Sequence, residues 1–172
     1  MRLNEAFYHR DCLQVAPDLV GKMLVRRLED GSQIRLRISE TEAYRGEEDT
    51  ACHAHKGKTN RTKVLYGEPG QIYVYLCYGI HWLLNVVTGE LGLPQGVLIR
   101  ACTEADGPGK LTKKLKVDKT LNDTSILTSP WLWIEDDGKH YQVIPDTRVG
   151  IGYASEEDQK RLWRFKLGGE IK

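Results

Sequence analysis

The amino-acid sequence predicts an α+β domain built around a mostly antiparallel sheet. Two strand-like runs flank the dipeptide Asp30-Gly31, which is typical of a tight hairpin turn. The run QIYVYLCYGIHWLLNVVT (71–88) is rich in aromatic and β-branched residues, and helical periodicity occurs only in short stretches between such runs. The length of 172 residues fits one domain spanning residues 1–172.

The first half of the chain predicts a helix, a hairpin and a long connection. The segment VAPDLVGKMLV (15–25) favours a short helix that ends at Gly21 and is followed by a strand. The segment MLVRRLEDGSQIRLRIS (23–39) favours a hairpin that turns at Asp30-Gly31. Residues 45–70 are polar and without period, which predicts a loop or a short helix, and a connection of this length is more often functional than idle.

The second half predicts further strands and one basic helix. Residues 71–88 favour two strands on either side of a Tyr78-Gly79 turn, and QGVLIRACTE (95–104) favours another strand. In GPGKLTKKLKV (107–117) two leucines lie one helical turn apart and the lysines point outward. The stretches 129–136 and 146–154 predict late strands and turns. The chain shows no internal repeat and no linker.

Composition and charge indicate the class of protein. Hydrophobic residues make up 40% and charged residues 28% of the chain, which is ordinary for a soluble globular protein. No apolar run approaches the roughly 18 residues that span a bilayer, and the polar start MRLNEAFYHRDC does not resemble a signal peptide. We therefore expect a cytoplasmic location without membrane association, and reduced thiols at Cys12, Cys52, Cys77 and Cys102.

The net charge of +1 argues neither for nor against nucleic-acid binding, but the basic residues are clustered. The segment KGKTNRTK (56–63) contains four basic residues and no acid, and KLTKKLKVDK (110–119) is a second cluster. Taken alone, such a cluster is more often an ordinary solvated face than a binding surface.

Two carboxylates lie two residues apart in QIRLRISETEAYRG (33–46), a stretch that begins as a predicted strand. The parity that places isoleucine and leucine on the inner face continues into Glu40, Glu42 and Tyr44, with the two carboxylates about 7 Å apart at Cα. An ionised carboxylate is costly to bury alone, so this face predicts water, a cation or a catalytic pocket. An ion pair with Arg100 on a neighbouring strand explains the spacing equally well.

Several tyrosines share one strand parity near His53. Tyr44, Tyr73 and Tyr75 indicate either core packing, with hydroxyls bonded to the backbone, or aromatic walls around a flat ligand. Tyr78 lies beside a glycine at a hairpin tip, where it has little core to join. It is either an exposed side chain or a wedge that inserts between bases.

No motif predicts a metal ion or a cofactor. The stretches HRDC (9–12) and CHAH (52–55) lack the paired spacing of a structural zinc site. The glycine-containing stretches GEPGQ (67–71), GPGK (107–110) and RVGIG (148–152) lack the spacing of phosphate-binding or dinucleotide-binding loops, and we expect them to be turns.

Eight motifs, taken in order, resemble a known enzyme family, the alkylpurine (3-methyladenine) DNA glycosylases of the mammalian alkyladenine glycosylase type, in a short bacterial form. The motifs cover nearly the whole chain: FYHRD (7–11), APDLVGK (16–22), ETEAY (40–44) with EDTACHAH (48–55), PGQIYVYLCYG (69–79), LNVV (84–87), GVLIRA (96–101), GPGKLTK (107–113) and RVGIG (148–152).

This resemblance implies a curved antiparallel sheet with a protruding, DNA-intercalating hairpin. It also implies hydrolysis of the N-glycosidic bond of an alkylated or deaminated purine, which leaves an abasic site. In the family pattern Glu42 corresponds to the general base that activates water. Arg100 and the backbone carbonyl of Val149 correspond to the groups that hold this water, and Arg100 also lies near a phosphate.

The resemblance likewise implies a pocket for a flipped base. Tyr44, His53 and Tyr75 correspond to the residues that stack around the base. Asn85 corresponds to the pocket-floor residue that disfavours the 2-amino group of guanine. Tyr78 corresponds to the tyrosine that fills the gap in the duplex, as expected for an enzyme that must take its base out of the stack.

The implied partner is double-stranded DNA that contains damaged purines, bound by a monomer without a cofactor. One departure from the family is that only CTEAD (102–106) separates GVLIRA from GPGKL, where many relatives have a long connection. Two alternatives remain open: a glycosylase with lyase activity through Lys56, Lys58 or Lys63, and a non-catalytic nucleic-acid-binding module.

Overall fold

Eight strands form the framework in the computed structural model, which describes all residues 1–172. Every strand pairing is antiparallel. The strands are β1 Met23–Arg27, β2 Gln33–Arg45, β3 Ile72–Cys77, β4 His81–Val87, β5 Gln95–Cys102, β6 Leu132–Glu135, β7 His140–Asp146 and β8 Arg164–Ile171. Their order in the sheet is β3-β4-β5-β2-β1-β6, while β8 pairs with both β2 and β7.

Four α-helices and three 3-10 helices accompany the sheet. The α-helices are α1 Glu5–Tyr8, α2 Cys12–Leu19, α3 Pro108–Lys114 and α4 Glu156–Lys160. The 3-10 helices cover His53–Lys56, Thr62–Tyr66 and Lys119–Leu121. The α+β prediction is confirmed, and the polar stretch 45–70 contains short helices as expected. None of the helices combines the length and apolar character needed to cross a membrane.

The helix predicted near residue 15 begins earlier, because Asp11 caps it. The Asp11 carboxylate accepts the backbone N–H of Leu13 at 2.9 Å, so helix α2 starts at Cys12. After the helix, Gly21 takes a φ of +91°, and a Cβ there would lie 2.6 Å from the Tyr141 ring. A glycine therefore allows the close turn from α2 into β1.

The main core lies where α2 and α3 pack on the sheet. It contains 26 buried residues, including four from α2. Leu111 and Leu115 are both 0% exposed, whereas Lys110, Lys113 and Lys114 face solvent, as the amphipathic pattern predicted.

The expectation that β2 keeps one inward parity from its start to Tyr44 is wrong. Ile38 belongs to the main core, but the next core residue on β2 is Ala43. Thr41 is also fully buried, and its Oγ1 donates to the carbonyl of Ala16 on α2 at 2.7 Å. The pairing register between β2 and β5 shifts on both sides of Glu40. Because alternate residues point to opposite faces, this shift turns Glu42 and Tyr44 away from the core that buries Ile38.

Strand β8 was not predicted from the sequence. Its residues are half-buried or exposed and it contains Gly168-Gly169, so it carries no clear apolar alternation. It is held by pairing on two sides, with β7 along its length and with residues 40–42 of β2 near its start.

Candidate active site

A cleft of about 580 Å³ opens at the part of β2 that points away from the main core. Its walls come from β2, β3, β4, β5, the start of α3, the first 3-10 helix and the loop 147–153. Seven of the eight predicted site residues line it: Glu42, Tyr44, His53, Tyr75, Tyr78, Arg100 and Val149. Asn85 lines a cavity of about 40 Å³ that shares Tyr44, His53 and Tyr75 with the cleft. The structure therefore brings all eight residues to one place.

Glu42 is 0% exposed, yet its carboxylate lines the cleft. Tyr44 Oη donates to Oε1 at 2.8 Å, and the backbone N–H of Val149 donates to Oε2 at 2.7 Å. Burial raises the pKa of Glu42, and the Val149 hydrogen bond and the positive Arg100 partly offset this effect. The result is a fixed carboxylate with lone pairs left to accept a proton.

Of the two predicted carboxylates, one forms ion pairs and the other faces the cleft. Glu40 forms ion pairs, with Arg100 Nε at 3.5 Å and with Arg164 Nη1 at 3.3 Å from its Oε2. Glu42 instead faces the cleft. The register shift pairs Ala101 with Glu40 and Ile99 with Thr41, which leaves Arg100 between them without a ladder partner. A side chain on such an irregularity is re-aimed relative to its neighbours, and Arg100 reaches the cleft.

Val149 contributes a contact that differs from the one expected. The resemblance drew attention to its carbonyl, whereas the structure shows its N–H bound to Glu42. Gly150, the next residue, has a φ of +73°, a conformation that glycine adopts readily. The role of the carbonyl stays a prediction.

Three rings pack beside Glu42 and Tyr44. The centroids of His53 and Tyr75 lie 4.5 Å apart at an interplanar angle of 66°, and those of Tyr73 and Tyr75 lie 5.3 Å apart. His53 Nδ1 is 3.2 Å from Tyr73 Oη. Burial, helped by the positive Arg61, lowers the pKa of His53 to about 4, so the imidazole is neutral at pH 7.

Asn85 lies deeper, at 6% exposure on β4. Its Nδ2 donates to the backbone carbonyl of Tyr73 at 3.2 Å, which fixes the amide in the small cavity. Because β3 and β4 pair Tyr73 directly with Asn85, the two residues reach the same end of the pocket.

The β3–β4 hairpin carries Tyr78 at its tip. Tyr78 and Gly79 have φ values of 51° and 65°, and the N–H of Ile80 donates to the carbonyl of Cys77 at 3.1 Å. Two positive φ values in succession are required by a type I′ hairpin turn, and they are unusual for tyrosine. Tyr78 is 89% exposed and Ile80 is 71% exposed, so the tip is apolar as well as strained.

Basic side chains border the cleft on the side of the long connection. Lys56 and Arg61 line the cleft, and Lys58 and Lys63 of the same segment are exposed. The Arg61 guanidinium lies 5.7 Å from the centre of the Tyr75 ring. This basic cluster (56–63) therefore lies beside the site and not on a remote face.

The sequence did not predict a buried ion pair that lies next to the backbone of the site residues Glu42 and Tyr44. Arg148 and Asp49 are joined by two hydrogen bonds of 2.7 and 3.0 Å, and both side chains are 0% exposed. Asp49 belongs to an acidic run whose other members, Glu47 and Glu48, are exposed, so the run gave no sign of a buried member. Its partner lies 99 residues away, and only the motif RVGIG drew attention to that region.

The residues that invited a zinc interpretation do not gather. No group of three or more histidine, cysteine, aspartate or glutamate side chains is arranged to hold a metal ion. The four cysteines are free thiols.

Comparison with known proteins identifies the family. The model of the methylpurine-DNA glycosylase family matches residues 6–106 and 103–171. A protein of Natranaerobius thermophilus named "Putative 3-methyladenine DNA glycosylase" is 42% identical over 191 aligned positions, covering 97% of this chain and 96% of its own. Proteins with the same name are 43% identical in Methanocella arvoryzae, covering 95% and 90%, and 38% identical in Borreliella afzelii, covering 97% and 96%.

The two family matches overlap at residues 103–106, within the short connection between the segments GVLIRA and GPGKL. The 191 aligned positions also exceed the 172 residues of this chain, so the Natranaerobius relative contains inserted residues. Apart from this short connection the match runs through every strand that builds the cleft, and the chain belongs to the methylpurine-DNA glycosylase family and is a DNA glycosylase of DNA repair.

Proposed function

We propose that this DNA glycosylase excises alkylated or deaminated purines from double-stranded DNA and leaves an abasic site. The observation that carries the proposal is the Glu42 carboxylate, fully buried at a cleft, held by two hydrogen bonds and flanked by aromatic rings. A module that only binds DNA has no need of such a carboxylate, since an unpaired buried charge is costly.

The reaction follows from the position of Glu42. A water molecule between Glu42 and the sugar gives a proton to the carboxylate, and its oxygen bonds to C1′. The glycosidic bond breaks and its electron pair leaves with the base. Alkylation makes the purine cationic, so it leaves as a neutral base with little help from an acid. A deaminated purine is neutral, so it leaves as an anion that takes up a proton from water. The negative carboxylate also stabilises the oxocarbenium character of the sugar. A positioned general base of this kind contributes about 10²- to 10⁴-fold.

The pocket walls suit a cationic flat ligand. The faces of Tyr44 and Tyr75 attract a positive ring by cation–π interaction. His53 packs edge-on against Tyr75 and is neutral at pH 7, so it does not repel that ring. Asn85 at the floor meets the exocyclic edge of the base and disfavours the 2-amino group of guanine.

Extrusion of the base requires a replacement in the stack. Tyr78, exposed at the strained hairpin tip, is suited to enter the duplex and offset part of the unstacking energy of a few kcal/mol. The basic segment 56–63 neutralises phosphates next to the cleft, and Arg100 contacts a phosphate and the attacking water. We expect a monomer that binds DNA with this one face, in the cytoplasm and associated with the nucleoid.

We further propose that the enzyme is monofunctional. Lys56 lines the cleft, so a Schiff base with the abasic sugar is the specific alternative. Borohydride added during turnover should trap no covalent protein–DNA adduct. A trapped adduct that disappears in Lys56→Gln would show lyase activity instead.

The deciding experiment is base release from duplexes that contain 3-methyladenine, 7-methylguanine, hypoxanthine or ethenoadenine. Wild-type protein and Glu29→Gln, a control at an exposed glutamate in the β1–β2 turn, should release at least one of these bases. Glu42→Gln should bind the same duplex and release almost none. Release at the wild-type rate by Glu42→Gln would disprove the role of Glu42, and binding without release by the wild-type protein would indicate a binding module.

A further inference from the structure

Behind the cleft, Arg148 connects three parts of the site that are distant in sequence. Its Nη1 donates to the carbonyl of Ala43 at 3.0 Å and to Asp49 Oδ2 at 2.7 Å, while Nη2 donates to Asp49 Oδ1 at 3.0 Å. The guanidinium lies between two rings, 5.0 Å from the centre of Tyr44 and 4.9 Å from that of Trp163. Tyr44 lines the cleft, and Ala43 and Asp49 are each next in the chain to a residue that lines it.

Ala43 is the residue between Glu42 and Tyr44, and it is held at both of its backbone groups. Its N–H donates to the carbonyl of Trp163 at 2.8 Å, and its carbonyl accepts from Arg148. The side chains of Glu42 and Tyr44 point to the face opposite that of Ala43. Fixing the backbone of Ala43 therefore also fixes the strand from which these two side chains project.

The residue after Arg148 makes the other half of the connection. Val149 donates its N–H to Glu42 Oε2 at 2.7 Å. With the guanidinium bound to Ala43 and the following amide bound to Glu42, the loop 147–151 contacts β2 at two adjacent residues. Movement of Arg148 would therefore move the amide that holds the carboxylate.

Asp49 extends the same arrangement to the base pocket. Its Oδ2 accepts the backbone N–H of Arg45 at 3.0 Å, and its Oδ1 accepts that of Ala51 at 3.1 Å. Arg45 ends β2, and Ala51 lies two residues before His53. A buried ion pair contributes little net stability, because desolvation offsets the attraction, but it can specify one arrangement of the groups that it joins.

We propose that Arg148, held by Asp49, is a positioning residue that sets the Glu42 carboxylate and the Val149 amide in their reactive arrangement. This inference rests on the proposed function for its consequence in catalysis. Arg148 touches neither the substrate nor the water; it acts through Ala43 and Val149.

Five groups with charge or a titratable proton lie around Glu42. Tyr44 lies on the same strand, Arg100 approaches from β5, and Arg148 and Tyr153 approach from the loop after β7. Arg164 lies opposite Glu42 in the β2–β8 register but is engaged by Glu40 and Asp146. Of the three arginines, Arg148 alone donates to the backbone carbonyl of Ala43, next to Glu42, and is followed in the chain by the amide that binds the carboxylate.

The test removes the ion pair as a unit, because deletion of one partner would leave a buried charge alone. The double variant Asp49→Asn/Arg148→Met is compared with Arg37→Met/Asp137→Asn, which removes a 2.8 Å pair that involves the same strand but lies outside the cleft. Single-turnover base release, equilibrium binding of the lesion duplex and the pH titration of the Val149 amide resonance are measured. The last measurement needs no DNA and reports the ionisation of Glu42.

We expect the Asp49/Arg148 variant to bind lesion DNA within about threefold of wild type and to release base about 100-fold more slowly, as for a misplacement of about 1 Å. The Val149 titration should move to higher pH, since a positive charge and an aligned donor are lost. The control should match wild type. If the double variant does not fold, Arg148→Lys, which keeps the charge without the fork, should show a smaller loss in the same direction.

A wild-type release rate with an unchanged Val149 titration, in the double variant or in Arg148→Lys, would overturn the inference. Equal losses of release and binding would overturn it as well, since they indicate general disorder of the site. If wild-type protein releases no base from any lesion, the proposed function fails, while the amide titration still decides whether Arg148 positions Glu42.

Discussion

The backbone N–H of Val149 lies 2.7 Å from Glu42 Oε2 and joins a carboxylate on β2 to a loop 107 residues further along the chain. This amide, together with Tyr44, favours the ionised form of Glu42 and partly offsets burial, which raises the pKa of the carboxyl group. A carboxylate with a raised pKa and a fixed direction is suited to take a proton from water.

Burying the ionised form of Glu42 should lower the stability of the protein, and Glu42→Gln should remove this loss. Burial raises the pKa of Glu42 in the folded protein above its ordinary value of 4.5. Between pH 4.5 and this raised pKa, the folded state binds more protons than the unfolded state. Stability therefore falls as pH rises through this window. Glu42→Gln should melt at an equal or higher temperature than wild type at pH 7, by about 2–4 °C for each kcal/mol gained, with no gain below pH 4.5.

Thermal melting at pH 4 and pH 7 checks this prediction. The isosteric amide can accept from the Val149 N–H and donate to Tyr44 Oη, so no buried group is left unpaired. Glu29→Gln at the exposed β1–β2 turn serves as the control, with an unchanged difference between the two pH values. A lower melting temperature of Glu42→Gln at pH 7 would contradict the assigned cost.

Tyr78 should lower the stability of the free protein and strengthen its binding to DNA. Its φ of 51° is unfavourable for tyrosine, whereas asparagine tolerates this region. Tyr78→Asn should therefore keep or raise the melting temperature, and it should weaken binding to a lesion duplex about tenfold or more, since base–aromatic stacking contributes about 1–3 kcal/mol. Fluorescence anisotropy with lesion and undamaged duplexes measures the effect.

The control for Tyr78 is Trp131→Ala, which removes an aromatic side chain that is 42% exposed but does not line the cleft. Its affinity for the lesion duplex should equal that of wild type. Equal affinities for Tyr78→Asn and wild type would leave Tyr78 an ordinary surface residue.

His53 should make the protein sensitive to mild acid. Its pKa is about 4 in the folded protein against an ordinary value of 6.5, so the unfolded state binds more protons between these values. Stability must then fall as pH decreases from 6.5 to 4. Urea unfolding across this range should show a flatter pH dependence for His53→Gln than for wild type.

His140→Gln, at an exposed histidine on β7, should reproduce the wild-type pH dependence. A His53→Gln curve that runs parallel to the wild-type curve from pH 6.5 to pH 4 would show that His53 ionises as easily in the folded chain as in the unfolded one.

Lys56 should contribute to DNA affinity through a phosphate rather than through a base. It is exposed and lines the cleft. Lys56→Gln should weaken binding to lesion and undamaged duplexes alike and reduce the slope of log K against log salt by about 1. Binding isotherms at several salt concentrations measure this slope. Lys139→Gln, in the exposed turn before β7, should keep the wild-type slope; a loss confined to lesion DNA would argue against a phosphate contact by Lys56.

Local patterns predicted much of the sheet. Asp30-Gly31 and Tyr78-Gly79 mark turns that depend only on backbone chemistry within a few residues, and both hairpins formed. Strand β5 and the basic helix α3 also lie within the predicted ranges, because alternation and helical spacing report directly which side chains meet the core. Strand β8 lacks such alternation, and its place depends on pairing with residues far away in sequence.

The sequence by itself determined the composition of the site: two carboxylates on a strand, tyrosines on neighbouring strands and motifs whose order resembles one enzyme family. Only the tertiary structure decided that a register shift at Glu40 turns Glu42 out of the main core, that Glu40 pairs with Arg100 and Arg164, and that Asp49 meets Arg148. The physical reason is range. Turns and periodicity act over a few residues, whereas these contacts join β2 and the loop after it to segments about 60 to 124 residues away, where no local pattern specifies the partner.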